Sequence, residues 1–108
     1  MQTGNFRKCE LTMYGLSDDT LDKIIKVILK CKHVEDIIIF GSRALGTFRN
    51  GSDIDLSLKG EISTNDLYQI MIELDDLSIP YEVDLNCYNR IDNEKLKDHI
   101  DRIGVSLM

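Results

Sequence analysis

Cysteine is scarce in this chain, and Cys9, Cys31 and Cys87 fall in no C-x-x-C or Cys/His pattern. An odd number without metal-ligand spacing excludes a disulfide framework and a structural zinc, and implies reduced thiols in a cytoplasm. Basic residues are outnumbered as well: 13 Lys and Arg stand against 19 Asp and Glu, a net charge of −6. Contacts to a phosphate backbone are made by Lys and Arg, so this balance argues against long DNA or RNA as the main partner. No apolar run approaches the ~20 residues of a membrane span, and the polar start MQTGNFRK lacks the apolar core of a signal peptide. A soluble, intracellular protein without a membrane partner is expected. Repeats, low-complexity tracts and long linkers are absent, and proline occurs once, at Pro80. With 108 residues, 43% of them apolar, the chain can form one small domain with a single modest core.

What is present centres on Ile39 to Leu58, IFGSRALGTFRNGSDIDLSL. Ile37, Ile38, Ile39 and Phe40 read as a short buried strand ended by Gly41, after which Ser42 is placed to cap a short helix through Arg43, Ala44 and Leu45. Glycine leaves room for an anion to approach the backbone, and a serine hydroxyl beside the free N–H groups of a helix start points donors the same way. Gly41 and Ser42 are therefore candidates to hold a phosphate.

Ten residues later, Asp53, Asp55 and Ser57 alternate with Ile54, Leu56 and Leu58. In a strand this puts both carboxylates on one face, about 7 Å apart, and the aliphatics on the other. For an isolated D-x-D, a solvated polar face is sufficient explanation. A third segment changes the balance: from Tyr81 to Asn86, Tyr81, Val83 and Leu85 share one face, and Glu82, Asp84 and Asn86 the other. If the two strands are neighbours, Asp84 joins Asp53 and Asp55. Aspartate is depleted in strands, so three on one sheet face call for a hard cation such as Mg²⁺.

The remainder supplies packing. Residues 1–15 form an N-terminal arm of no readable role, and 16–108 the domain. Ser17 caps a first helix with Leu21, Ile24, Ile25, Ile28 and Leu29 as its buried stripe and Lys23, Lys26, Lys30 and Lys32 as a solvated face. Ser63 and Asp66 form a capping box opening a second helix, buried through Leu67, Ile70, Met71, Leu74 and Leu77 and stopped by Pro80. Asp92 caps a third, with Leu96, Ile100 and Ile103 inward and Gly104 at its end, before a last short strand from Val105 to Met108. His33 reads as a helix-terminus residue and His99 as a partly packed structural histidine. The element order predicts an α/β, two-layer fold: a mixed β-sheet, its first two strands antiparallel, with helices on one face and the three aspartates on the open one.

Gly41-Ser42, ten residues, Asp53-x-Asp55, with Arg43, Gly46, Ser52 and a later Asp84, resembles the nucleotidyltransferase superfamily that includes DNA polymerase beta. The short chain is similar to its minimal nucleotidyltransferases, the MNT proteins usually encoded beside a HEPN-domain toxin in toxin–antitoxin pairs. The resemblance covers about Leu21 to the C-terminus. It implies transfer of a nucleoside monophosphate, AMP from Mg²⁺-bound ATP, to an acceptor hydroxyl. Asp53, Asp55 and Asp84 would be the catalytic residues and would hold two Mg²⁺ ions. Gly41 and Ser42 would bind the triphosphate, and Arg43 or Arg49 would neutralise the pyrophosphate or else be ordinary surface arginines. The partner implied is a HEPN-type toxin, in a hetero- or homo-oligomer. The alternatives are a non-catalytic antitoxin that acts by occlusion, or transfer to a small antibiotic-like acceptor.

Overall fold

The computed structural model describes residues 14–49 and 51–108. Cys9 and most of the arm expected over residues 1–15 lie outside the described residues.

Helix α1 (Asp18–Ile28) starts where the Ser17 hydroxyl accepts the Thr20 backbone N–H at 3.1 Å, with Asp18 and Asp19 at the positive end of the helix dipole. Leu21, Ile24, Val27 and Ile28 are buried. Leu29, which the periodicity assigns to the same stripe, is exposed because the helix has already ended and Leu29 is its C-cap.

Strand β1 (Val34–Phe40) leads straight into the short helix α2 (Gly41–Leu45), and β2 (Ile54–Gly60) follows. Helix α3 (Thr64–Asp75) connects β2 to β3 (Val83–Cys87), and after a 3₁₀ turn at Tyr88–Arg90 come α4 (Glu94–Ile103) and β4 (Val105–Ser106). The sheet order is β3-β2-β1-β4. β1 is antiparallel to both β2 and β4, as a tight β1–β2 connection requires, while β2 and β3 run parallel with α3 as their crossover. The sheet is therefore mixed, as expected.

Two caps decide the helix starts. Ser63 and Asp66 form the capping box at α3, each side chain accepting the other's backbone N–H. At α4 the cap is Asn93 and not Asp92: the Asn93 side-chain Oδ1 accepts from the backbone N–H groups of both Lys95 and Leu96. The two residues are adjacent and equally suited by type, so only the backbone settles the register.

Alternation along β1 divides its side chains between two apolar clusters. Ile37 and Ile39 pack with Ile54, Leu56, Leu58 and Leu85 beneath α1 and α3, where Ile70 and Leu74 enter the same core. Ile38 and Phe40 point the other way, into a smaller cluster with Ile100 and flanking Leu96 and Ile103. Helix α4 thus covers part of the second face, and the expectation of helices on one face holds only for α1 and α3. An amphipathic pattern fixes that a helix has an inner side, but not which side of a sheet receives it. Gly104 permits this crossing, since a Cβ there would lie 2.5 Å from Ile38 Cγ2.

Met71 is a second correction. It lies on the outer side of α3 with Tyr68 and Ile72, all three exposed. The i, i+3 spacing marks two apolar sides on this helix, and the sheet takes only the one with Ile70 and Leu74.

Candidate active site

The parallel pairing of β2 and β3 sets Asp55 directly opposite Asp84, and one pleat further on sets Ser57 opposite Asn86. Both pairs project from the face that carries Phe40, because Phe40 is the antiparallel partner of Asp55. Ser57 is buried, and its hydroxyl donates to Asn86 Oδ1 at 2.6 Å, joining the two strands below the carboxylates. Asp53 lies one residue before β2 and is exposed.

Partial burial pushes the Asp55 carboxyl above the ordinary carboxylate range, and the negative charges of Asp84 and then Asp53 push it further, with partial relief from His99. His99 stacks its ring edge-on to Phe40, with centroids 6.2 Å apart. It belongs to this site, although its position on the flank of the α4 stripe suggested only packing. The signal missing from the sequence was that α4 crosses to the aspartate face.

Gly41 closes the other side. Its φ is +75°, a left-handed conformation, and an added Cβ would lie 2.3 Å from Asp55 Oδ2. Only glycine allows the backbone to turn here and to pass directly against the carboxylate. Helix α2 begins at Gly41 itself with Phe40 at the N-cap position, so Ser42 sits in the first turn and is not the cap.

The two candidate arginines separate. Arg49 is exposed, in a turn closed by the hydrogen bond from its backbone N–H to Ser52 Oγ at 2.8 Å. Arg43 is only 2% exposed and is not the surface arginine allowed for above. Its Nε and Nη2 donate to the Ser52 carbonyl at 3.1 and 2.8 Å, and Nη1 donates to the Tyr14 carbonyl at 2.8 Å. The guanidinium carbon lies 4.7 Å from the Tyr81 ring centre and 5.2 Å from that of Phe48. Arg43 is thus engaged by main-chain carbonyls and aromatic faces. It fixes the residue immediately before Asp53.

Cys31 and Cys87 are free thiols. Among the described residues, no three His, Cys, Asp or Glu side chains stand close enough to enclose a metal ion, and no helix is long and apolar enough to cross a membrane.

A mixed sheet presenting aspartates from two parallel strands beside a Gly-Ser turn defines a nucleotidyltransferase class of domain. The chain belongs to that family: residues 22–108 match the family described as Polymerase beta, Nucleotidyltransferase. Comparison with curated proteins finds no significant match. Among solved structures, the fold is similar to that of a toxin–antitoxin with AMP-PNP, at 23% identity and TM-score 0.67 over 81% of this chain and 71% of the other. It is also similar to a mutant of the toxin–antitoxin MntA–HpeT in which two aspartates, two positions apart, are changed to glutamate. There the identity is 20% and the TM-score 0.65, over 81% of this chain and 70% of that one. A Sulfolobus solfataricus protein described as a nucleotidyltransferase shares 22% identity at TM-score 0.52, over 82% and 76% of the two chains.

Proposed function

We propose that this domain transfers a nucleoside monophosphate, AMP from Mg²⁺-bound ATP, to a hydroxyl on a partner protein, as the antitoxin of a toxin–antitoxin pair whose toxin is of the HEPN type. The observation that carries the reading is the strand register that sets Asp55 opposite Asp84, with Asp53 two residues before it and Gly41 passing directly against the Asp55 carboxylate. Three acidic groups that repel one another are poor structural design and good cation ligands. Their donor set is all oxygen, which suits Mg²⁺, and a cation would relieve the repulsion on Asp55.

Asp53 and Asp55 would hold the metal, which when bound neutralises the triphosphate and polarises the phosphoryl group for in-line displacement. Gly41 and Ser42 would seat the phosphate tail. The acceptor oxygen would form a bond to the α-phosphorus as the bond to the bridging oxygen of pyrophosphate breaks, and Asp84 would take up the hydroxyl proton. Arg49, exposed and close in sequence, would meet the pyrophosphate. Arg43 would act indirectly, by fixing the chain at Ser52. The relatives named as toxin–antitoxin, one of them with AMP-PNP, support the choice of nucleotide and partner.

The test is transfer of label from α-labelled ATP to the product of the neighbouring gene, co-purified with the chain. The Asp53→Asn, Asp55→Asn double variant is expected to lose at least ~10³-fold in rate. Undiminished transfer would overturn the assignment. Absence of transfer by the wild type, with toxin neutralisation intact in the double variant, would establish occlusion instead.

A further inference from the structure

Beside Asp53 the structure opens a groove of about 730 Å³ between the outer side of α3 and the segment that leads into β3. Its α3 wall is apolar and unusually bare: Tyr68 is 61% exposed, Ile72 58% and Met71 42%. The opposite wall is built from Ile79, Pro80 and Tyr81. The charged groups lining it are Asp53, Asp75 and Glu82, with no Lys, Arg or His among the described residues that form it.

We infer that this groove docks the acceptor segment of the partner protein, a stretch with an aliphatic or aromatic side chain flanked by Lys or Arg. The inference rests on the proposed transfer reaction and adds to it the recognition element for the acceptor. Three features select this occupant. Large exposed apolar side chains grouped on one wall are the usual mark of a protein contact. An all-acidic rim repels a triphosphate and attracts a basic segment, so the groove complements the phosphate side of the site. Asp53 is shared by the groove and the carboxylate cluster, so a segment lying in the groove runs toward the atoms that would perform the transfer. The volume is that of pockets that take a compact ligand, about 300–1,000 Å³, so part of the segment would lie in the groove and the rest would cross open surface.

The experiment uses the whole chain and two fluorescein-labelled peptides, KLKYLK and its charge-reversed counterpart ELEYLE, with binding read by fluorescence polarisation in the absence of nucleotide. The basic peptide is expected to bind at least about tenfold more tightly, and to lose about fivefold or more with Ile72→Ser or Asp75→Lys, both surface changes that leave the core untouched. Amide chemical shifts should move at Tyr68, Met71 and Ile72. Equal affinity for the two peptides, no binding of either at millimolar concentration, or indifference to both substitutions would overturn the inference. So would shifts centred on the groove when ATP alone is added, which would make it the nucleoside pocket, or a dimer dissociated by Ile72→Ser, which would make it a self-association surface. Peptide binding needs no transfer, so a failed transfer assay leaves this result standing. Intact transfer without selective peptide binding rejects the groove alone.

Discussion

At the scale of single residues, Asp55 carries the clearest energetic signature. Its carboxyl is raised from 3.8 in the folded protein, chiefly by partial burial and then by Asp84 and Asp53. The folded state therefore binds the proton more tightly than the unfolded chain, and stability declines as pH rises from the ordinary carboxylate range through the raised value. Asp55→Asn is expected to raise the melting temperature at pH 7, by a small amount because the group is partly exposed and screened. The gain should vanish below pH ~3.8, where Asp55 is protonated in both states. Thermal melts of both proteins from pH 3 to pH 8 without divalent metal would show it, and a pH-independent difference would contradict it. The alternation of Asp55 and Ser57 with Ile54, Leu56 and Leu58 was legible because it is a local property, read from neighbours two apart, whereas Asp84 comes opposite Asp55 only through the pairing of β2 with β3. Arg43 was not legible, since its burial depends on Tyr14, Phe48, Ser52 and Tyr81, which no local pattern brings together.

Helices and strands show the same division. The Ser63 capping box and the apolar alternation of β2 could be read directly, because caps and pleats depend on residues within one turn or one pleat. Asp92 and Asn93 could not be told apart, and the structure now makes them a test. Asn93→Ala removes the acceptor of two N–H groups at the start of α4 and should cost about 1 kcal/mol, whereas Asp92→Ala should change stability by no more than a few tenths. Urea denaturation of the two variants decides it, and equal losses would mean that both residues share the cap. Because α4 also carries His99 toward Asp55, loosening of this helix start is felt at the site as well as in the smaller apolar cluster. Its side of the sheet was beyond the reach of sequence, as was the outward turn of Met71, for the same reason: periodicity defines apolar sides and leaves their partners open.

For the whole molecule, the net charge of −6 and the carboxylate cluster act in one direction. Mg²⁺ that binds the folded state alone stabilises it by about 1.4 kcal/mol at ten times its dissociation constant. A rise in melting temperature with millimolar Mg²⁺, beyond that given by NaCl at equal ionic strength, is expected for the wild type and should be absent in the Asp53→Asn, Asp55→Asn variant. Identical responses of the two proteins would assign the effect to screening of the overall charge.

The buried guanidinium of Arg43 also has a temporal meaning. It bonds to Tyr14, 29 positions away along the chain, and to Ser52, nine away. Closing the longer of these loops costs entropy before the contact repays it. We predict that the three segments lock together after the central strands have paired, with Asp53 reaching its place in that last step. Arg43→Met should accordingly accelerate unfolding, through loss of bonds worth about 2–4 kcal/mol in all, and leave the refolding rate nearly unchanged. Stopped-flow kinetics in urea would reveal this as a shift of the unfolding arm alone. The site entrance would then be the last part of the protein to form and the first to come apart.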